Sequence, residues 1–151
     1  RLMKQMHDSI IVQAMSRLLI PLAQLFALYV LFFGQYGPGG GFVAGVIWTT
    51  SMILTFLVFG LKSPQGRLVE KVLHGDGIGL IIFVGVGGLC LIGGGEFLNY
   101  ANLEIPGLDA PARRYTGILL AQIGVAVDVA VTGISIVLSL AYHDTEQEYD
   151  V

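Results

Sequence analysis

The stretch YTGILLAQIGVAVDVAVTGISIVLSLAY, Tyr115–Tyr142, decides the fold class of this chain. It carries one charged residue, Asp128, near its middle. An apolar run of this length can satisfy its backbone hydrogen bonds within a bilayer only as a helix, so we expect it to span the membrane. An acid at the centre of such a helix costs about 2.5–3.5 kcal/mol on insertion scales. Asp128 should therefore face protein or trapped water rather than lipid.

The composition of the whole chain agrees with an integral membrane protein. Hydrophobic residues make up 54% of the 151 residues and charged residues only 13%. The mean hydropathy is +0.75, which is too apolar for a small soluble domain. The 21 glycines suit helices that pack closely in lipid through small side chains.

Four apolar runs predict an all-α membrane protein with four transmembrane helices in a single domain, residues 1–151. The predicted spans are about Leu18–Phe33, Phe42–Leu61, Gly77–Gly94 and Tyr115–Tyr142. The first can be extended backward, because Asp8 or Ser9 is a suitable N-cap and the apolar pattern continues after them. Pro21 would then kink this helix.

Basic residues in the short loops predict the orientation. Six lie on one side of the membrane and two on the other: Arg1, Lys4, Arg17, Lys62, Arg67 and Lys71 against Arg113 and Arg114. The positive-inside rule then places both termini in the cytoplasm. We expect the membrane to be the cell membrane. The acidic residues 143–151 would form a solvated cytoplasmic tail.

The turn between the first two spans has the most unusual local sequence, GQYGPGGGF at Gly34–Phe42. A phosphate-binding loop would need a lysine after its last glycine, and none is near. The dinucleotide-binding spacing also fails, because Phe42 stands where the third glycine should be. We interpret the segment as a tight turn that packs two helices closely, with its key residues at Gly37, Pro38, Gly39, Gly40 and Gly41.

Several motifs resemble one membrane-protein family. The block RLLIP at Arg17–Pro21, then Tyr29 and the Gly34–Phe42 segment, resembles the N-terminal signature of the MnhB/MrpB family, a small component of Mrp-type multisubunit sodium/proton antiporters. The last helix, with Gly124–Val127 and Thr132-Gly133, is similar to the closing segment of that family. The resemblance covers the chain from about Ser16 to Leu140. Members of the family commonly carry an acid near the position of Gln122, whereas the acid of this chain is Asp128.

The resemblance implies a non-catalytic small subunit that contributes to assembly and to cation or proton translocation in a larger complex. Its partners would be other antiporter subunits, the lipid bilayer and the transported Na+ or H+. Homologous modules occur in energy-converting membrane-bound hydrogenases and sulfur-reducing complexes, so a membrane-arm subunit of such a redox-driven pump is the alternative.

The fourth helix is expected to present one small and polar face. Residues at intervals of three or four share this face: Gly117, Ala121, Gly124, Asp128, Thr132, Ser135 and Ser139. Small residues let another helix approach, so Gly117, Ala121 and Gly124 are candidate subunit contacts. Gln122 points away from this face.

Asp128 has two interpretations that the sequence leaves open. It can bind and release ions in a translocation path together with Thr132, with Glu96 lining an entry funnel at the outer boundary. Alternatively, Asp128 is a hydrogen-bonded anchor at a subunit contact, and Glu96 is a plain interfacial residue. No Lys or Arg lies within the spans, so a partner for the carboxylate must come from a cation, water or another subunit.

Other functional classes find little support. Cys90 stands alone in an apolar run, and the three histidines are far apart, so we predict no disulfide, no metal site and no cofactor. No nucleophile–base pair suggests an enzyme. No basic cluster suggests nucleic-acid binding.

Overall fold

The computed structural model describes residues 9–60, 77–103 and 106–147. These residues form four α-helices and one short 3-10 helix, and they contain no strand. The helices are α1 Ile10–Phe33, α2 Gly41–Phe59, α3 Ile78–Ile92, the 3-10 helix Tyr100–Asn102 and α4 Ala110–Gln147. The prediction of an all-α membrane protein is confirmed. Most of the basic residues used for orientation lie outside the described residues, so the cytoplasmic location of the termini stays a prediction.

Three of the four helices, α1, α2 and α4, are long and apolar enough to cross a membrane. The third run gives a shorter helix than predicted. At 15 residues, α3 is about 22 Å long, against roughly 30 Å of hydrocarbon. Glycines in left-handed conformations flank it, Gly77 at φ 81° and Gly94 at φ 77°. These glycines end the regular helix inside the predicted span 77–94.

The start of α1 and both ends of α4 lie outside the predicted spans. Ser9 is the N-cap of α1, and its Oγ accepts a hydrogen bond from the N–H of Val12 at 3.4 Å. The backward extension of the first span therefore agrees with the structure. α4 begins at Ala110 and continues to Gln147, so the first part of the predicted tail 143–151 is helical.

The helices pack in the order α1, α2, α4, α3. α4 lies between α2 and α3, and α1 packs mainly on α2 with a small contact to α4. The α1 contact centres on the buried Val30, Leu31 and Ala44, which pack against Ile123 and Ala126. α4 therefore connects the two sides of the molecule.

Glycines bring the backbones of α2 and α4 into contact. A Cβ atom built on Gly45 would lie 2.7 Å from the carbonyl oxygen of Ala126, and one built on Gly41 would overlap the backbone of Gln122. On α4, a Cβ on Gly133 would lie 2.6 Å from Cγ2 of Thr49. Small residues one turn apart on α2 thus set the distance between these two parallel helices.

A threonine bridges the same contact. The hydroxyl of the buried Thr49 donates to the carbonyl oxygen of Gly45 at 2.9 Å and lies 3.3 Å from that of Ala130. Beyond it, Ile134 and Leu138 of α4 pack against Met52 and Phe56 of α2. The contact therefore changes from small and polar at one end to large and apolar at the other.

We expect a disulfide to form between Thr49→Cys and Gly133→Cys in a Cys90→Ala background. A Cβ on Gly133 lies 3.4 Å from Cβ of Thr49, close to the 3.5–4.5 Å typical of disulfides. Oxidation should leave no thiol reactive to a PEG-maleimide on a denaturing gel. Thr50→Cys with Gly133→Cys is the matched control, because Thr50 is exposed on another side of α2. Equal cross-linking of both pairs would contradict the helix register.

Candidate ion-translocation site

Asp128 lies half-buried on α4, beside the first turn of α3. A Cβ atom built on Gly79 would lie 2.8 Å from Cβ of Asp128 and would overlap the carbonyl oxygen of Gly124. Gly124 is matched to this approach, because its own Cβ would lie 2.8 Å from the carbonyl oxygen of Gly79. The two glycines let α3 begin directly against the acid.

The start of α3 supplies favourable electrostatics for a carboxylate at this position. The N–H of Ile81 donates to the carbonyl oxygen of Gly77 at 3.0 Å, so the preceding N–H groups of the first turn have no acceptor within the helix. This end of a helix carries a partial positive charge. From the sequence alone, the candidate partners for Asp128 are a cation, water and another subunit, and the start of α3 is not among them. The glycines at 77 and 79 were the available signal.

Thr132 follows Asp128 by one turn of α4, and its side chain is exposed. Ser135 is half-buried and Ser139 is exposed on the same side of the helix. The described part of α3 starts at the level of Asp128 and runs toward the N-terminal end of α4. Among the described residues, a polar strip of α4 therefore continues from Asp128 without α3 covering it.

Glu96 is not brought close to Asp128. It is exposed in the turn after α3, where its carbonyl oxygen accepts a hydrogen bond from the N–H of Asn99 at 3.0 Å. The length of α3, about 22 Å, separates this turn from the acid. Any joint role of the two acids would need a path along the whole of α3.

The three candidate subunit contacts are occupied by this chain itself. Gly117 packs against the ring of Tyr100, with a built Cβ 2.6 Å from its Cδ1 atom. Ala121 is 5% exposed, and Gly124 meets α3. In the structure, these small residues of α4 pack against α3 and the 3-10 helix. A partner that approached this face of α4 would therefore contact α3 first.

The turn between α1 and α2 rests on Gln122 of α4. Gly39 and Gly40 adopt positive φ angles of 151° and 125°, which favour glycine. Gly40 lies near the side-chain amide of Gln122, and Gly41 contacts its backbone. Gly37 has open space around it and Pro38 is exposed, so the close packing depends on the last three residues of the predicted five.

No group of three or more potential metal ligands occurs among the described residues. Cys90 is fully buried on α3, in a cluster with Val86 and Leu103 and with Tyr100 packed against it. Its thiol has a packing role in this cluster.

Sequence comparison places these features in a known family. The family model described as "Domain related to MnhB subunit of Na+/H+ antiporter" matches residues 11–136. This range covers α2 and α3 and nearly all of α1, and it extends along α4 past Asp128 and Thr132. The chain belongs to the MnhB family.

Individual relatives match the chain along most of its length. A Bacillus subtilis protein, named as the B subunit of a Na(+)/H(+) antiporter, is 29% identical over 136 residues, which cover 85% of this chain and 95% of that protein. A protein of the same name from Alkalihalophilus pseudofirmus is 27% identical over 133 residues, or 83% of this chain and 92% of its own. The MnhB similarity therefore extends over all four helices.

We expect Gly79→Val to separate α3 from α4 and destabilise the protein. The added side chain would meet the backbone at Gly124 and Asp128, and overpacking of this kind costs about 1–3 kcal/mol. The melting temperature of the detergent-purified protein, followed by fluorescence-detected size exclusion, should fall by several degrees. Gly85→Val is the matched control, since nothing lies within 4 Å of a Cβ built on Gly85 of the same helix. An equal fall in both variants would contradict the α3–α4 contact.

Proposed function

We propose that this chain is a non-catalytic small membrane subunit of a multisubunit sodium/proton antiporter in the cell membrane. Membership of the MnhB family and the names of the two relatives support this role. We further propose that Asp128 belongs to the ion path and that Thr132 is its neighbour in that path. The observation that carries the second proposal is the half-buried position of Asp128 on α4 at the beginning of α3.

The surroundings of Asp128 suit an ion-exchanging carboxylate. Asp128 is half-buried on α4, where the first turn of α3 begins. No basic side chain from the described spans neutralises Asp128 permanently, so a sodium ion or a proton can take that place.

The open strip beyond Asp128 gives the ion a route. The exposed Thr132 hydroxyl, one turn away, can accept a cation or hydrogen-bond to water. Contact between polar side chains and lipid inside the bilayer is energetically unfavourable. We therefore propose that another subunit of the complex covers the polar strip. The pathway would then lie between this chain and its neighbour. Glu96, at the other end of α3, would serve only as an entry residue.

Asp128→Asn tests the ion-path role. The amide keeps the shape and much of the hydrogen bonding of the acid but removes its charge. We expect the complex to assemble normally, as shown by the subunits that co-purify with the tagged chain. Sodium-driven proton movement in everted vesicles, followed with a pH-sensitive dye, should fall at least about tenfold, the scale expected for loss of an essential ionisable group.

Asp109→Asn is the matched control, because Asp109 is exposed just before α4 and undergoes the same chemical change. It should transport normally. Glu96→Gln tests the entry residue in the same assay, and a milder loss is expected there. Unchanged transport in Asp128→Asn would contradict the ion-path role. Loss of subunits from the Asp128→Asn complex would instead identify Asp128 as an assembly anchor.

The co-purified subunits also test the type of complex. Antiporter subunits without redox proteins would agree with the proposed function. Nickel–iron or iron–sulfur subunits in the same preparation would place the chain in a redox-driven pump instead.

A further inference from the structure

A pocket lies between the turn after α1 and the start of α4. Its volume is about 530 Å³, which lies within the usual range for ligand sites. The lining residues are Gln35, Tyr36, Ala110, Pro111, Arg114, Tyr115 and Ile118. This pocket is separate from Asp128, which lies more than three helical turns further along α4 than Tyr115. The MnhB assignment does not explain it.

The side chains around this pocket are suited to an anion. Arg114 contributes a guanidinium with several N–H donors, and Tyr36 and Tyr115 contribute hydroxyl groups. Among the described residues that line the pocket, none is acidic. The polar groups therefore combine donor capacity with a net positive charge.

Gln35 also lines the pocket and is half-buried. Its Nε2 atom is buried without a hydrogen-bond partner, and so is Nε of Arg113, which does not line the pocket. The charge of the pocket therefore comes from Arg114.

The beginning of α4 adds to the positive potential. Ala110 and Pro111, the first two residues of the helix, line the pocket. The positive end of the helix dipole therefore lies at the pocket, where it favours negative charge. Arg114 and the helix end thus act on the same volume.

We propose that this pocket binds the phosphate group of an anionic phospholipid. The rings around the pocket indicate a lipid rather than free phosphate, because they are exposed at the ends of membrane helices. Tyr36 is 77% exposed and Tyr115 39%. Aromatic side chains at such positions belong at the level of the lipid headgroups. With the phosphate bound to Arg114, the acyl chains of the lipid could run along the exposed apolar side of α1.

The test measures lipid retained by the intact complex purified in mild detergent through a tag on this chain. Phosphatidylglycerol would be added, and bound lipid would be counted by native mass spectrometry after the subunit is released. The variant is Arg114→Gln. Arg113→Gln is the matched control, because it removes the same charge one residue away and Arg113 does not line the pocket.

The wild type and Arg113→Gln should retain phosphatidylglycerol equally. Arg114→Gln should bind it roughly tenfold more weakly, since a charge-assisted hydrogen bond is lost. Zwitterionic phosphatidylcholine and millimolar inorganic phosphate should neither bind at this level nor raise the melting temperature. This readout does not depend on transport, so it stands apart from the test of Asp128.

Equal retention by Arg114→Gln and the wild type would overturn the proposal. Arg114-dependent stabilisation by inorganic phosphate alone would overturn the lipid as the source of the anion. Cross-linking of an acidic residue from a neighbouring subunit to this pocket would likewise replace the lipid with a protein partner.

Discussion

Backbone contact between α2 and α4 is the constraint on which the rest of the structure depends. In lipid, apolar side chains gain little by meeting one another, so close packing and internal hydrogen bonds must hold helices together. Gly41 and Gly45 let α2 approach α4, and Thr49 bonds across the interface. This contact fixes α4 relative to α2, and α1 follows through its own packing on α2.

The opposite side of α4 is also packed closely through glycine, but against α3 and the 3-10 helix. Gly79 and Gly124 bring α3 against α4, and Gly117 receives the ring of Tyr100. α4 therefore carries small residues on two sides. On each side, the helix that packs against it also carries glycine at the contact. A single larger residue at one of these points would have to move a whole helix, because helix backbones cannot yield locally.

Much of this arrangement can be predicted from the sequence. The features that cannot be predicted depend on contacts between distant parts of the chain. The length and apolarity of Tyr115–Tyr142 predict a spanning helix, and the glycine-rich segment after α1 predicts a turn. Periodicity also places Gly124 and Asp128 on one face of α4. It cannot reveal that α3 of the same chain occupies this face, because helix order in space depends on long-range contacts. The dipole beside Asp128 was missed because it belongs to the backbone of α3 and to no side chain.

The short length of α3 has a consequence for the surrounding bilayer. A helix about 22 Å long falls roughly 8 Å short of the hydrocarbon thickness, whereas its neighbour α4 exceeds it. A bilayer in contact with both helices would have to become thinner beside α3 and thicker beside α4. Such hydrophobic mismatch costs fractions of a kcal/mol for each ångström. Replacing those lipids with protein removes the cost. The shape of this chain, apart from any polar contact, thus favours protein over lipid beside α3.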